Sequence, residues 1–472
     1  MTITDDNSDP PLRSSVEIQG NVLAAFNKDH QTFLLVAFAD AKRGQQWLRD
    51  IEGLVATTKE VEDFNEEFSA RRSREGRDPE NLHAVWTNVT LTLGGLSKVA
   101  KPETVAQIPS RFSALRDGAA KRAARIGDRG SSAPDKWVFG AENPPRIDAV
   151  VTVAADREQD IRVRLDEVRD LVKRHGLTSV FEQVARTLPG ARKGHEHFGF
   201  KDGISQPGVR DFHREYPPDS GRRLDHPGEK LIEPGEFVLG YKAQTGPPGP
   251  IPDWMRDGSF QVLRRLNQDV PGWWSQTEQG LALDPPLSRD ALAAKLMGRW
   301  LSGTPLAHAP TSDTGAPDDN TFNFAADPLG TRTPRFAHIR KANPRASAPP
   351  GGKESDKRRI MRRGIPFGRT FDPSGGPGHG TDAERGLMFQ CFCADLERQF
   401  EFLQSHWVNN PGFPSAGDGT DPVIGRDSPN TLRRRGALDA HLALRQFVTT
   451  SGAVYAFAPS KTTLRRLAAA QL

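Results

Sequence analysis

Two stretches far apart in the chain follow the same order of residues. Residues 33–48 (FLLVAFADAKRGQQWL) and 387–403 (LMFQCFCADLERQFEFL) each run from an apolar segment through Ala-Asp into a helix-like segment. Asp40 and Asp395 stand where an aspartate caps the N-terminus of a helix. A second pair of stretches, residues 148–172 and 452–468, again runs from a strand into an amphipathic helix. The repetition predicts two similar halves, although strand-then-helix units also recur by chance in α+β proteins.

The remaining pattern favours an α+β fold. We predict further strands at residues 84–93, 236–241 and 259–266, and because several strands are half-polar, we expect antiparallel sheets covered by helices on one face. A chain of 472 residues suits two domains. We predict a disordered segment at 1–16, an N-terminal domain at 17–225 and a C-terminal domain at 226–472. The Pro- and Gly-rich stretches 213–234, 306–335 and 343–358 are predicted to be loops.

Composition excludes several classes of protein. The 64 basic and 60 acidic residues nearly balance, and no basic run is interleaved with aromatic residues, so we expect no nucleic-acid partner. The N-terminus is polar and no run of 18 apolar residues occurs, so we expect a cytoplasmic protein with no membrane partner. Cys391 and Cys393 are too close on a strand for an unstrained disulfide and are expected to be buried. No C-x-x-C-H motif occurs, which excludes covalent c-type haem attachment.

The segment HEHFGFKDGISQP, residues 195–207, is the first place where chemistry is possible. His195 and His197 would share a face on a strand, but no third His or Cys lies at a ligand spacing, so a supporting role is favoured over a metal site. Asp202 stands between glycines that permit tight turning and close approach to a ligand. Taken alone, it fits an Asx-turn as well as a catalytic carboxylate.

Two further segments carry a histidine and an arginine of interest. In RFAHIRKANPR, residues 335–345, His338 precedes three cationic residues, and in RRIMRRGIPFG, residues 358–368, Arg362 precedes a Gly-Ile-Pro-Phe-Gly turn. A buried histidine beside clustered Arg and Lys is a reasonable axial ligand for a haem, whose propionates need cationic partners. The alternative is a structural histidine.

Together these segments resemble the dye-decolorising peroxidase family. The likeness is carried by GFKDG within HFGFKDGISQP, by AHIRKANPR, by IMRRGIPFG and by GLMFQCFCADLERQFEFLQSHW, and it extends from about residue 17 onward. The resemblance implies two ferredoxin-like domains with antiparallel sheets and peripheral helices. It also implies one non-covalent haem b (iron protoporphyrin IX) per chain, held between the domains, in a protein similar to the longer, cytoplasmic members.

The resemblance also implies roles for individual residues. Asp202 matches the distal acid–base, Arg362 rather than Arg363 matches the distal arginine, and His338 matches the proximal iron ligand. Asp395 is expected to accept the other N–H of His338. The remaining residues expected at the haem are Ile204, Gln206, Arg340 and Arg345 (the last two at the propionates), Leu387 and Phe389.

The implied activity is reduction of hydrogen peroxide with oxidation of bulky anthraquinone-type dyes, phenols and other aromatic reductants. The family's chemistry runs through a ferryl porphyrin radical, and the protein positions and tunes the haem. One alternative is a haem-handling protein that removes iron or oxidises porphyrin, with incidental peroxidase activity. Another is a non-haem metal hydrolase using His195, His197 and Asp202, or a non-catalytic binding module. The sequence leaves the oligomeric state open.

Overall fold

The structure is a computed structural model that describes residues 10–141, 146–214, 231–316, 320–345, 352–372, 380, 384–426, 428–434 and 436–472. Its strands are β1 (His30–Ala37), β2 (Val85–Leu91), β3 (Ala149–Ala155), β4 (Thr178–Arg186), β5 (Gly208–Val209), β6 (Leu231–Ile232), β7 (Ser259–Gln268), β8 (Met361–Arg362), β9 (Ile365–Gly368), β10 (Arg385–Cys393), β11 (Ser428–Leu432), β12 (Ala440–Leu444) and β13 (Val448–Ala458). Its helices are α1 (Gly20–Leu23), α2 (Ala41–Glu52), α3 (Thr58–Glu75), α4 (Leu93–Val99), α5 (Pro102–Ala106), α6 (Ser113–Arg122), α7 (Glu158–Arg174), α8 (Val270–Thr277), α9 (Arg289–Met297), α10 (His338–Ala342), α11 (Gly352–Asp356) and α12 (Lys461–Ala468), with two π-helical segments at Glu397–Glu401 and Leu403–Val408.

Within the described residues, nine strands form one sheet in the order β4-β1-β3-β2-β13-β7-β10-β8, with β9 also paired to β10. The first four strands are ordered 4-1-3-2 by their place in the chain. The second half repeats this order when β8 and β9 are counted as one strand. All pairings within this sheet are antiparallel. The predicted α+β class with two ferredoxin-like halves is confirmed.

The two halves are joined edge to edge. Strand β2 of the first half pairs with β13 of the second at Leu91 and Phe457. One large apolar core then runs across both halves, and it includes Trp47 of α2, Val168 of α7 and Leu464 of α12. This junction pairs one edge strand of each half, so the backbone N–H and C=O groups of those two edges are not left open to pair with another chain.

The predicted strand-to-helix units are present. Asp40 caps α2 by accepting the backbone N–H of Arg43 at 2.9 Å. The face predicted for α7 is buried, with Ile161, Leu165 and Val168 among its buried residues. In each unit an apolar run with high strand propensity is followed by an amphipathic segment, so local and long-range preferences agree. Helix α7 begins after Arg157 without a side-chain cap.

Two predictions about the fold are wrong. Residues 236–241 form no strand: Pro234–Glu236 is a 3₁₀ turn, and Gly240 has a φ of +90°. Residues 10–16 were expected to be disordered, but Leu12 is buried and donates its N–H to the carbonyl of Asp211 at 2.9 Å. Residues 1–9 and the predicted boundary at 225/226 lie outside the described residues. No helix among those described is long and apolar enough to cross a membrane.

Candidate active site

The loop that carries GFKDG is anchored on the second half of the chain. Phe198 is fully buried and stacks on Trp273 of α8, with ring centroids 4.8 Å apart. Phe200 meets the same ring edge-on at 6.1 Å. Gly199 and Gly203 have φ angles of +100° and +77°, which only glycine adopts without strain. The two phenylalanines and the two glycines therefore fix the course of the chain on either side of Asp202.

Asp202 and Arg362 lie next to each other. The Nη1 atom of Arg362 is 3.1 Å from Oδ1 of Asp202, and each side chain is 32% exposed. Arg362 is held by β8, where it pairs with Cys391 of β10, and its backbone N–H donates to Oε1 of Gln206 at 3.1 Å. The pair therefore presents a carboxylate and a guanidinium together, and neither is sealed off from a ligand.

The neighbouring arginine points elsewhere. Arg363 donates from Nε to the carbonyl of Asn21 at 2.9 Å and from Nη2 to the carbonyl of Leu23 at 2.7 Å. Burial and, to a smaller extent, the charge of Arg362 lower the pKa of Arg363 to about 9. Arg363 thus holds α1 against the sheet, and Arg362 is the arginine beside Asp202, as predicted.

His338 begins α10 and is fixed by a carboxylate that the sequence did not single out. Its Nδ1 atom lies 2.8 Å from Oδ2 of Asp421, which is fully buried. Burial lowers the pKa of His338, but the charge of Asp421 and its hydrogen bond outweigh burial, so the net pKa is raised. With Nδ1 occupied, Nε2 is the ring nitrogen that remains to bind a metal.

Asp395 does not contact His338, so its predicted role is wrong. Its Oδ1 atom accepts the backbone N–H of Arg398 at 2.8 Å, at the start of the π-helical segment after β10. The capping pattern of the sequence describes Asp395 correctly, whereas the role inferred from the resemblance belongs to Asp421.

The two arginines expected at the haem propionates differ. Arg340 is 4% exposed and donates to the carbonyls of Thr333 at 2.7 Å and Asp327 at 2.9 Å. It orders the loop before His338 and does not line the cavity, so its predicted role is wrong. Arg345 does line the cavity.

One cavity brings most of the predicted residues together. It has a volume of about 270 Å³, and Asp202, Ile204, Arg362, His338 and Arg345 line it. Its apolar wall comes from adjacent strands, where Leu387 pairs with Leu266. Phe389 lies on the same wall, opposite Arg264. Gln206 is absent from the lining, and it acts through its hydrogen bond to Arg362.

Charge in this cavity is mainly positive. The three carboxyl groups in its lining are those of Asp128, Glu196 and Asp202. The cationic residues are Lys201, Arg264, Arg299, Arg345, Arg358, Arg359, Arg362 and Arg426. Arg264 is paired with Asp128, and Arg362 with Asp202. The excess of cations suits a ligand that carries negative groups.

His195 and His197 do not form a metal site. His197 is 2% exposed, and its Nε2 atom contacts the carbonyl of Phe367 at 2.8 Å. Burial lowers the pKa of His197 to about 4. Within the part of the chain that the structure describes, no group of three or more His, Cys, Asp or Glu residues is placed to hold a metal ion. The supporting role predicted for His197 fits these contacts.

Sequence reasoning missed three residues at this site. Asp421 lies in GDGTDPVIG, where the only signal is an aspartate in a turn-rich stretch. Asp128 lies in RIGDRG, which matches no chemical motif. Glu196 lies within HEHFGF, between two histidines, but an acidic residue in this position does not by itself indicate a role at the site.

Comparison with known proteins bears on this arrangement. Residues 17–188 match the family model of the DyP dimeric alpha+beta barrel domain, and residues 288–414 match that of the C-terminal part of Dyp-type peroxidases. The chain belongs to the dye-decolorising peroxidase family. Membership makes it a hydrogen-peroxide-dependent haem peroxidase. Family membership therefore excludes the alternative that the protein is a non-haem metal hydrolase.

Relatives match this dye-decolorising peroxidase over most of its length. The multifunctional dye peroxidase of an Amycolatopsis strain is 30% identical over 471 residues, covering 96% of this chain and 95% of that protein. A dye-decolorising peroxidase of Mycetinis scorodonius is 33% identical over 368 residues, or 72% of this chain and 69% of the relative. The solved structure of an ancestral D-type enzyme is 29% identical with a TM-score of 0.79, covering 96% of this chain and 99% of the other.

Proposed function

We propose that this peroxidase holds one non-covalent haem b in the cavity, with His338 as the iron ligand. The observation that carries the proposal is that one cavity is lined by His338, Asp202 and Arg362. Asp421 contacts Nδ1 of His338, which leaves Nε2 of the ring to bind iron. A buried carboxylate behind a ligating histidine is typical of metal sites. Cys391 and Cys393 are fully buried and lie outside the cavity lining, which supports non-covalent attachment.

The cationic lining fits the two propionates of this cofactor. Arg345 lines the cavity with its Nη1 atom bound to the carbonyls of Asn320 and Phe322. Arg359 and Arg426 line it as well. We propose these three arginines as the propionate partners, since guanidinium groups bind carboxylates in two-pronged geometry.

Asp202 is proposed as the group that moves the proton. A haem held in this cavity would supply the redox chemistry that cleaves the O–O bond of peroxide. For cleavage, the inner oxygen of peroxide must lose a proton and the outer oxygen must gain one. An ionised carboxylate in the cavity accepts the first proton and returns it to the departing oxygen. The hydrogen bond from the backbone of Gly203 to Oδ1 of Asp202, at 2.6 Å, fixes the carboxylate for this task.

Arg362 is proposed to stabilise the charge that develops on the departing oxygen. A guanidinium stays charged at any working pH and offers several N–H donors in one plane. Its backbone is pinned by Gln206 and by the pairing with β10, so the donor is in place before the reaction begins. Such preorganised donors act most strongly where water is displaced.

The oxidised enzyme takes electrons from aromatic reductants. We propose dyes of the anthraquinone type and phenols as its substrates. A solved dye-decolorising peroxidase that is 26% identical, with a TM-score of 0.79, is complexed with 2,6-dimethoxyphenol and covers 97% of this chain. The cytoplasmic location predicted from the sequence stays a prediction.

The test combines spectroscopy with turnover. The purified chain, supplied with haem, is expected to show a strong Soret band, one haem per chain, and complete release of the haem by acidified organic solvent. Peroxide should drive oxidation of an anthraquinone dye and of 2,6-dimethoxyphenol. Asp202→Asn should keep the Soret band and lose most turnover, and Asp395→Asn, outside the cavity, should keep both. A parent chain without a Soret band contradicts the proposal.

The haem-handling alternative has a partial counterpart among the relatives. A deferrochelatase of Yersinia pestis is 30% identical over 154 residues, which is 32% of this chain. Holding a porphyrin requires neither Asp202 nor Arg362, whereas peroxide cleavage uses both, so their pairing at 3.1 Å favours the peroxidase. If the protein converted haem mainly to iron-free porphyrin, the haem-handling function would be favoured over the peroxidase.

A further inference from the structure

Glu196 lines the same cavity as Asp202 but has no part in the mechanism above. It is 9% exposed. Its backbone N–H donates to the carbonyl of Phe200 at 3.0 Å, and its own carbonyl accepts the N–H of Gly199 at 2.9 Å. The residue therefore closes a tight turn directly before Lys201 and Asp202, and its side chain lies on the inner side of that turn.

The carboxyl group of Glu196 has three close partners. Its Oε1 atom accepts the backbone N–H of Phe200 at 2.9 Å, and its Oε2 atom accepts that of Phe198 at 2.8 Å. The third partner is the side-chain amide of Gln268, 2.6 Å from Oε2. Gln268 ends β7 and also lines the cavity.

The contact between Glu196 and Gln268 is short for an amide donor. Amide N–H groups usually lie about 2.9–3.0 Å from an accepting oxygen, whereas O–H donors lie about 2.5–2.7 Å from it. The oxygen and nitrogen of a glutamine amide have nearly the same shape and are assigned from their partners. As placed, Oε1 of Gln268 is buried without a hydrogen-bond partner. Turning the amide over puts this oxygen against Glu196, where it accepts an O–H.

The surroundings also favour the neutral form of Glu196. Burial raises the pKa of Glu196, the hydrogen bonds from Phe198, Gln268 and Phe200 lower it, and the charge of Asp202 raises it, so that the net pKa is about 7. The neighbouring imidazole of His197 is turned toward Phe367. Arg362 pairs with Asp202. Asp202 is therefore the charged group that acts on Glu196 from the cavity.

We propose that Glu196 is a neutral carboxylic acid bonded through its O–H to Gln268, and that it holds a second exchangeable proton for the cavity beside Asp202. The use of this proton rests on the proposed function. Reduction of one peroxide to two waters consumes two protons together with two electrons from the aromatic reductant. Cleavage of peroxide leaves Asp202 ionised again, so the proton of Glu196 passes through Asp202 to the oxygen that leaves as the second water, and Glu196 regains a proton from solvent through the cavity. Two carboxyl groups whose environments differ in this way divide the acid and base roles between them.

Infrared spectroscopy of the haem-loaded protein tests the neutral acid directly. The C=O band of a protonated carboxyl group is separate from the bands of carboxylates, and it shifts in frequency in heavy water. We expect one such band that disappears as the pH rises through about 7 and is absent from Glu196→Gln. It should persist in Glu182→Gln, a matched control in which the lost carboxyl lies on β4 outside the cavity. If the parent shows no band that titrates in this way, the proposal is wrong, whether or not any variant folds.

The pH dependence of the step in which the aromatic reductant returns the peroxide-oxidised enzyme to its resting form tests the use of the proton. In single-turnover measurements the parent rate should fall on the alkaline side near the titration of the infrared band, and Glu196→Gln should lose this limb. Glu196→Asp should restore part of it. If Glu196→Gln keeps the parent profile while Glu196→Ala is slow at every pH, Glu196 only shapes the turn and the proposal fails. Absence of a Soret band or of turnover in the parent contradicts the proposed function instead, while the infrared result stands by itself.

Discussion

The Nδ1 atom of His338 and the Oδ2 atom of Asp421 lie 2.8 Å apart, although 83 positions separate the two residues in the chain. The other oxygen of Asp421 accepts the backbone N–H groups of Val423 at 2.8 Å and Ile424 at 3.0 Å. A carboxylate held at both oxygens cannot rotate away from the imidazole. The pair therefore fixes both the orientation of the ring and the nitrogen that faces the cavity.

The first prediction concerns this pair. Asp421→Asn removes the charge behind the imidazole, so His338 becomes a weaker electron donor and the midpoint potential of the iron should rise. Spectroelectrochemical titration of the haem-loaded protein measures this change. Asp395→Asn is the matched control, because Asp395 only caps the following helix. Equal potentials in the parent and Asp421→Asn would show that the pair does not tune the iron.

The second prediction concerns the iron ligand. His338→Ala should lower the haem content of the purified protein, because we propose no other bond from the protein to iron. Added imidazole should restore haem binding, since it can occupy the space left by the side chain. His195→Ala, at a histidine outside the cavity lining, should bind haem like the parent. Full haem content with an unchanged spectrum in His338→Ala would assign the ligand elsewhere.

The third prediction separates two adjacent arginines. Arg362→Leu should slow the reaction with peroxide by about 10²–10³-fold, the usual effect of removing one preorganised donor. Arg363→Leu should instead lower the temperature of unfolding, because it leaves the carbonyls of Asn21 and Leu23 without their donor. Stopped-flow kinetics and thermal unfolding on both variants make the comparison. If Arg363→Leu reacted slowly with peroxide while Arg362→Leu reacted at the rate of the parent, the roles assigned to the two arginines would be reversed.

The fourth prediction follows from the buried imidazole of His197. Its pKa of about 4 lies below the ordinary value of 6.5, so the unfolded chain takes up a proton first as the pH falls. The free energy of unfolding should therefore decrease between about pH 6.5 and pH 4. His197→Gln, which keeps an N–H for the carbonyl of Phe367, should lose less stability over this window. Denaturant unfolding at several pH values measures the difference, and parallel curves would contradict the assignment.

The fifth prediction has the opposite sign. The pKa of Glu196 is raised from 4.5 to about 7, so the folded protein retains a proton that the unfolded chain has lost. This contribution to stability is present below about pH 4.5 and is lost as the pH rises to about 7. Glu196→Gln should gain stability relative to the parent as the pH rises through this window. A difference in unfolding free energy that does not change with pH would show that Glu196 does not titrate there.

The sequence predicted the strand-to-helix units of this fold, because local interactions determine them. The units β1–α2 and β3–α7 each combine a strand with a helix that has one apolar face, and each forms as predicted. Residues 236–241 are apolar for another reason. Phe237 and Val238 are fully buried in a turn between Pro234 and Gly240. Burial alone does not distinguish a strand from a buried connection.

The site was predicted as far as its motifs are contiguous. Asp202, Arg362 and His338 each lie in a short segment with its own turn or charge pattern, and all three line the cavity. Asp421 reaches His338 only through the packing of a distant turn, which leaves no local signal. Arg340 lies close to His338 in sequence, yet helix geometry directs it to Asp327 and away from the cavity. Proximity in sequence therefore identified the segment but not which side chain faces the ligand.

The lining of the cavity is drawn from nearly the whole chain, from Ile126 to Thr450. Thr450 lies on β13, which also joins the two halves of the sheet, so this part of the wall leaves the ribosome after the N-terminal half. The N-terminal half emerges and can begin to fold earlier, but it has no pocket to offer until β13 is in place. A cofactor can therefore be held in the complete cavity only after β13 has been made, and we expect a truncation that removes β13 to abolish loading even when every proposed catalytic residue is retained.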